Sequence, residues 1–483
     1  MQATNLLLIM ADEHSKRVLG CHGNDFIDTP NLDRLAKRGT VFDAAYTPCP
    51  ICVPARAAMQ TGRYVHATGH WSNAEPYSGE PQGWGHRLLA AGHRVDSVGK
   101  LHFRSTEDEN GYGRELIPMH VLDGVGDLQG LLRRPPPKRP GVRLLADKAG
   151  AGQSSYARYD DDILGHSNAW LRERAAAPDE KPWVLFVSFV RPHFPLIAPP
   201  NLVERYLTRN LPLPFRRSER PMHPMMAALR EVQNYDDYFT GDDHVRLALA
   251  AYYGMVTAID AQVGELLTTL DEAGLTDSTR IVYTSDHGDN LGNRGFWGKS
   301  NMYEDSAGIP LIIAGPGIPA GRRVAEPASL VDIHQTAIEA TGNPLTDAER
   351  AELPGVSLID LANGARPART VLSEYHAVGS ITAFFMIRVG RWKYIHFPGY
   401  ASQLFDLEAD PLEANDLGTS PSHSAERDRC EQALRKLLDP DEVNARAFAD
   451  QAALIEKHGG AEAVSGALAF PHTPAPGEEA TVE

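Results

Sequence analysis

Four short apolar runs in this chain each end in side chains able to bind a metal ion or move a proton. Leu6 to Met10 leads into Asp12, Glu13 and His14. Val95 to Val98 leads into Lys100 and His102. Val184 to Val190 leads into His193, and Ile281 to Thr284 into Asp286 and His287. Any one of these clusters fits a solvated loop, because charged residues are mostly exposed. Four of them, at the ends of four similar runs, point to one convergent polar site. A fifth segment, Thr47-Pro48-Cys49-Pro50-Ile51-Cys52-Val53-Pro54-Ala55-Arg56, adds a sulfur and a guanidinium. Pro54 suits the first turn of a helix, where a missing N–H costs nothing. Cys52 then lies at or just before a helix N-terminus, whose free N–H groups and positive dipole end favour an anion. Arg56, one turn on, can aim at the same anion. The plainer reading of Cys52 taken alone is a buried free cysteine beside a helix start.

Strands and helices must alternate to bring these residues together. The four apolar runs read as strands, with helical stretches between them. The clearest spans about Val245 to Leu270, with Tyr252, Met255, Val256, Ile259, Val263, Leu266, Leu267 and Leu270 on one stripe and Gly274 as its stop. This alternation predicts an α/β fold with a mainly parallel central sheet flanked by helices. In such sheets ligands bind beyond the carboxyl ends of the strands, where the polar clusters fall. Residues 104–160 lack clear periodicity. Their run Arg133-Arg134-Pro135-Pro136-Pro137-Lys138-Arg139-Pro140 reads as an extended, solvated surface segment. An insertion near the strand ends can still wall a pocket. Residues 201–240 are also irregular.

The pattern changes from about Arg369. Val371 to Tyr375, Thr382 to Val389, Trp392 to Phe397 and Gln403 to Leu407 are short strand-like runs, and Val389-Gly390-Arg391-Trp392 is a hairpin signal. We expect an α/β domain over 1–368, a small antiparallel C-terminal subdomain over 369–440 and a tail over 441–483. Helices are expected over Ser424 to Leu438 and Val443 to His458. An isolated helix of the latter length is marginal in water. Its Phe448, Leu454 and Ile455 need either the chain's own core or a second subunit.

Composition removes several function classes. The chain has 483 residues, of which 42% are hydrophobic and 23% charged, as in ordinary globular proteins. The net charge of −16 argues against a nucleic-acid coat or a basic membrane-surface protein. No apolar run approaches the roughly 20 residues of a transmembrane helix. The N-terminus lacks a basic region and reads as a first strand rather than a signal peptide. Four cysteines, Cys21, Cys49, Cys52 and Cys430, make no disulfide framework, which suggests a reducing, cytoplasmic setting.

Cys52-Val53-Pro54-Ala55-Arg56 with Thr61-Gly62-Arg63 resembles the signature of the type I sulfatases, formylglycine-dependent members of the alkaline-phosphatase-like superfamily. Further segments match that family in order. They are Leu8 to Asp12, Thr29-Pro30-Asn31-Leu32-Asp33-Arg34-Leu35-Ala36, Gly99-Lys100-Leu101-His102 and Pro192-His193-Phe194-Pro195. Thr284 to Asp289, Gly298-Lys299, Tyr303-Glu304 and Leu404 to Pro411 follow. Within that family the chain resembles the choline-sulfatase and phosphonate monoester hydrolase branches.

The resemblance implies that a formylglycine-generating enzyme oxidises Cys52 to formylglycine. Its hydrate attacks the sulfur of a small-molecule sulfate ester with one hydroxyl; loss of the other hydroxyl's proton then ejects sulfate. It implies one divalent metal ion held by Asp12, Glu13, Asp286 and His287, with Cys52 completing the set. The family often has two Asp at the first position and Asn beside the second Asp. Asp12-Glu13 and Asp286-His287 depart from this, which leaves Ca²⁺ and Mn²⁺ open, since imidazole suits transition metals better than Ca²⁺. Lys100 and His102 would hold the diol and take the proton. Lys299 and His193 would bind sulfate oxygens and protonate the leaving oxygen, and Arg56 would fix the formylglycine. Asn73 matches an Asn that contacts the transferred group in those branches.

A sulfuric ester hydrolase is thus expected, and the two branches it resembles suggest a homo-oligomer, a dimer or tetramer. One alternative is a phosphonate monoester or phosphodiester hydrolase, a branch that lacks the Lys and His present here as Lys100 and His102. An alternative of another class is a catalytically dead metal-binding protein, yet no assigned residue is missing. A choline-like substrate needs an aromatic or acidic cage, for which Trp71, Tyr77, Trp84 and Phe103 are the loop aromatics at hand. His22, His66 and His70 have no assigned part.

Overall fold

The computed structural model describes residues 2–215, 222–366, 369–467 and 472–478. Its centre is an eight-stranded sheet. In chain order the strands are β1 (Asn5–Asp12), β2 (Gly39–Phe42), β3 (Val95–Lys100), β4 (Arg114–Met119), β5 (Val184–Pro192), β6 (Thr279–Ser285), β7 (Leu311–Ala314) and β8 (Arg322–Val324). Their spatial order is β8-β2-β7-β6-β1-β5-β3-β4. Only β7 runs against the other seven. The expected mainly parallel sheet is therefore present, and each of the four apolar runs is one of its strands.

Burial on both faces explains why these strands read as continuous apolar runs. Along β1, Leu6, Leu8 and Met10 enter one apolar cluster, while Leu7, Ile9 and Ala11 enter another. The second cluster is closed by Tyr156, Ile163 and Leu171 of the helix Ser155–Ala176 and by Ile259, Val263 and Leu266 of the helix Asp242–Glu272. The first is closed by Ile333 and Ala337 of the helix Asp332–Ala340 and by Ala55 and Met59 of the helix Cys52–Thr61.

Four antiparallel strands make the second sheet: β9 (Val371–Tyr375), β10 (Phe384–Val389), β11 (Trp392–His396) and β12 (Gln403–Asp406). Val389 pairs with Trp392 across the hairpin, and Gly390 takes φ 55°, which glycine adopts without steric penalty. The boundary expected after residue 368 falls on residues 367–368, outside those described, as do the last residues of the tail.

Two readings of the sequence are corrected, and the packing of the tail helix, left open there, is filled in. Residues 201–240 hold two nine-residue helices, Pro200–Thr208 and Pro224–Val232, each too short to display a periodic stripe. The basic run is not a solvated loop at Arg133. That side chain is buried, donates to the Ser380 carbonyl and to Gln451 Oε1, and lies 4.1 Å over the Phe448 ring. Burial pushes its guanidinium down to about 9. The tail helix Pro440–Lys457 meets the second sheet's core through Val443 and Ala447, with Phe448, Leu454 and Ile455 half-buried.

Candidate active site

The four strands that end in polar clusters, β6, β1, β5 and β3, are neighbours in the sheet. Their carboxyl ends therefore open on one place. Local backbone departures aim the side chains. The β1–β5 register shifts between Met10 and Asp12, and Glu13 follows at φ 66°. Gly99 takes φ 96°, and a Cβ there would sit 2.3 Å from the Ser188 carbonyl oxygen, so only glycine fits. The register shift beside Gly99 sets Lys100, and His102 follows at φ 58°. Left-handed backbone at non-glycine residues is uncommon and concentrates at functional sites.

The helix Cys52–Thr61 begins at the cysteine itself, as the sequence predicts, with Pro54 in its first turn. Cys52 Sγ lies 3.2 Å from His287 Nε2 and 3.9 Å from Asp12 Oδ1. Burial and the neighbouring Asp12 push its thiol up to about 12. Arg56 is fully buried and ties the strand ends together. It donates to Asp286 Oδ2 at 2.8 Å, Asp12 Oδ2 at 3.0 Å, the Lys100 carbonyl at 2.6 Å and Ser188 Oγ at 2.9 Å. Lys100 Nζ reaches Asp12 Oδ2 at 2.6 Å. Burial alone would raise the Asp12 carboxyl, but Lys100, His193, Arg56 and Lys299 outweigh it and hold it well below the usual range.

A second half of the site centres on Lys299. Its Nζ donates to Glu13 Oε2 at 3.0 Å and lies 2.8 Å from His193 Nε2. Burial lifts Glu13 to about 7 despite Lys299. Burial and Lys299 together hold His193 well below its ordinary value.

Ligand atoms of Asp12, Cys52, Asp286 and His287 all lie within 4.8 Å of one another; those of Asp12, Glu13 and His193 form a second such group. Glu13 thus sits beside Lys299 and His193 rather than in the group around Cys52. Its Oε1 is buried without a hydrogen-bond partner among the described residues. Carboxylate oxygens with one imidazole suit a divalent cation, and an orphaned carboxylate oxygen beside them fits one too.

Asn73 supports the helix start: its Oδ1 accepts the Val53 N–H at 3.2 Å, in the first turn of the Cys52 helix. It also lines the pocket above Cys52, together with Lys100, His102, His193 and Lys299. Six of the residues expected from the sequence, Cys52, Asn73, Lys100, His102, His193 and Lys299, line this pocket, while Asp12, Glu13, Arg56, Asp286 and His287 are buried against them without lining it. The aromatic walls are Tyr156, Phe194 and Tyr235 instead of the four expected loop aromatics. Trp71, Tyr77, Trp84 and Phe103 are buried, with Tyr77 and Phe103 packed ring to ring. Arg139 and Val142, from the unpatterned stretch, do wall the pocket. Ser188, His472 and Thr473 escaped the sequence reading. Ser188 hides inside an apolar run, and the other two come from a tail with no local signal. His66 binds Glu374, away from the site.

The sulfatase family model matches residues 4–343, and that of the N-sulphoglucosamine sulphohydrolase C-terminal region matches residues 292–439. The chain is 34% identical over 435 residues to the choline-sulfatase of Rhizobium meliloti (strain 1021), covering 86% of this chain and 83% of that protein. It is 30% identical over 472 residues to arylsulfatase K of Rattus norvegicus, covering 92% and 79%. In fold it is similar to the phosphonate monoester hydrolase SpPMH of Silicibacter pomeroyi, with a TM-score of 0.71 at 22% identity over 90% of this chain and 95% of that one. The chain belongs to the sulfatase family and is an enzyme that hydrolyses sulfate esters.

Proposed function

We propose that this sulfatase cleaves sulfate monoesters with formylglycine, made from Cys52 by a formylglycine-generating enzyme, as its nucleophile. The observation that carries the reading is the position of Cys52: at a helix N-terminus, 3.2 Å from His287, within one cluster with Asp12 and Asp286. Formylglycine hydrate supplies two hydroxyls on one carbon, one to accept the sulfuryl group and one whose deprotonation releases sulfate. Asp12, Asp286 and His287, with the residue at 52 and with Glu13 adjacent, would hold one divalent ion. Such an ion, Ca²⁺ or Mn²⁺, supplies charge that polarises sulfate oxygens and acidifies a hydroxyl. His287 favours Mn²⁺.

The chain's own residues do the rest. Arg56 locks Asp12 and Asp286 to the strand ends and offsets their charge. Lys100 and Lys299 bring positive charge to an anionic substrate. His193, beside Lys299, is placed to give a proton to the leaving oxygen. His102 takes the proton of the second hydroxyl. Asn73 holds the helix start and faces the transferred group. A reducing cytoplasmic setting is part of the reading, supported by the cysteines Cys21, Cys49, Cys52 and Cys430, all free. No helix among the described residues is long and apolar enough to cross a membrane. Assembly into a dimer or tetramer is also part of it, supported by the half-buried Leu454 and Ile455. Sedimentation of the full chain tests the assembly.

Mass spectrometry of the Cys52 peptide, with kcat/KM for aryl sulfate, aryl phosphate and phosphonate monoester, tests the chemistry. An aldehyde at position 52 and a clear lead for the sulfate are expected. Full activity with an unmodified thiol, or a lead for the phosphonate, sinks the proposal.

A further inference from the structure

The pocket above Cys52 is completed by the far end of the chain. His102 Nε2 lies 2.8 Å from the hydroxyl oxygen of Thr473, 371 residues away. The other ring nitrogen, Nδ1, is buried and has no hydrogen-bond partner among the described residues. His472 and Thr473 line the same pocket as Cys52, Lys100 and His193.

Residues 472–478 are tied down by several independent contacts. The Tyr156 hydroxyl donates to the Thr473 carbonyl. The His472 ring meets Tyr156 edge-on at 5.4 Å and Phe194 at 5.7 Å. Ala475 is buried in the same apolar cluster as Tyr156 and Tyr159. Glu478 pairs with Arg158 at 3.0 Å. Tyr156 and Arg158 stand in the first turn of the helix Ser155–Ala176, so that helix start anchors the segment.

A neutral imidazole carries its proton on one nitrogen, and the hydrogen bond made by one nitrogen decides the state of the other. A hydroxyl can accept or donate, and it is with Nε2–H donating to Thr473 that Nδ1 keeps its lone pair. We propose, on the basis of His102 as the base for sulfate release, that Thr473 is a positioning residue: this segment of the chain's own tail fixes the ring and tautomer of His102. The step it serves is the release of sulfate from the sulfated diol. His102 Nδ1 takes the proton of the remaining hydroxyl. That O–H pair becomes the second carbon–oxygen bond of the aldehyde. The bond from the same carbon to the sulfate oxygen breaks, and its electron pair leaves with sulfate.

The test uses the full chain with Thr473→Val and Thr473→Ser, each checked for formylglycine content and thermal unfolding. Thr473→Val keeps the shape and removes the hydroxyl. Its kcat on an aryl sulfate is expected to fall roughly 10–100-fold, with KM within about threefold. Mass spectrometry of quenched turnover samples should show the sulfate ester at position 52 accumulating. Thr473→Ser should restore kcat to within about threefold of wild type and show no accumulation. Nitrogen NMR of histidine-labelled wild type, with His102 assigned through His102→Ala, should show the proton on Nε2. That measurement decides the matter even if Thr473→Val folds poorly. Three results overturn the assignment: a Thr473→Val enzyme with undiminished kcat, a Thr473→Ser enzyme as slow as Thr473→Val, or the proton on Nδ1 of wild-type His102. A wild-type chain without formylglycine and without turnover sinks the role of His102, and Thr473 with it. An active wild type that is indifferent to Thr473→Val sinks the tail assignment alone.

Discussion

Two of the buried charge clusters among the described residues differ in what surrounds the charges. One is the ring of Asp12, Arg56, Lys100 and Asp286 around Cys52, with Glu13 and Lys299 beside it. The other joins Lys16, just after β1, to Glu304, Lys393 of β11 and Glu413. Both lysines reach Glu304, and Lys393 also reaches Glu413 at 2.8 Å. Glu413 Oε2 accepts the Glu304 N–H at 2.7 Å. Burial would raise Glu304, but Lys16 and Lys393 hold it well below the usual carboxylate range. The second cluster pairs two cations with two anions and bridges the two sheets. It contains no sulfur and no histidine. Among the described residues, the groups with metal-ligand spacing both lie at the first cluster. Buried charge alone is therefore no sign of catalysis. A nucleophile and a ligand-type cluster mark the first cluster out.

The largest separation between the clusters should come from the nucleophile. Cys52→Ala is expected to lower sulfatase turnover on the order of 10⁴-fold or more while the fold survives. Cys430→Ala, in the second sheet's core, should leave turnover near wild type. A Cys52→Ala protein that keeps measurable fractional activity breaks the comparison at its root. His102→Ala comes next, with a loss of roughly 10²–10⁴-fold in kcat, read by stopped assays and by sulfated enzyme in the mass spectrum. Undiminished turnover in that variant removes the base from the mechanism.

How much of this was legible follows from the physics of each part. Parallel strands buried on both faces are written as unbroken apolar runs, so a run that ends abruptly in Asp12 or Asp286 declares a strand end. The Cys52 helix announces itself through Pro54. The short stretch from Leu6 to Glu13 contains all that β1 needs. Other features depend on the path of the chain, which no window of sequence records. Ser188 reads as an interruption of an apolar strand until Arg56 is seen to need an acceptor. Arg133 reads as solvated until Phe448, Ser380 and Gln451 are seen to enclose it. Glu304 reads only as a family match after Lys299, and its pairing with Lys16 and Lys393 from the short helix Glu304–Ala307 has no local signal. Thr473 lies in a segment with no periodicity, and only tertiary folding sets it beside His102.

The second cluster predicts an effect of a different kind. Lys393→Met removes the cation between Glu304 and Glu413 and leaves two buried carboxylates facing each other. Breaking a buried pair in this way costs about 3–5 kcal/mol of folding stability. Chemical unfolding should register that loss, while kcat of the folded fraction changes little because Lys393 touches no residue of the Cys52 ring. A variant with wild-type stability and a large loss of kcat would merge the two clusters into one functional network.

The smallest expected effect sharpens the boundary of the first cluster. Asn73 accepts the Val53 N–H, one of the amides that a helix start leaves without an internal partner. Asn73→Ala removes that acceptor, and losses of this type cost about 0.5–2 kcal/mol. Asn73→Asp keeps an acceptor at the same place, so thermal unfolding should stay close to wild type. It also adds a negative charge to a pocket proposed to receive an anion, so KM for an aryl sulfate should rise several-fold. If Asn73→Asp loses stability as Asn73→Ala does, the carboxylate is not taking the place of the amide oxygen at Val53. If its stability holds and KM does not move, Asn73 serves the helix alone and the sulfate-binding surface ends at Lys100, His193 and Lys299.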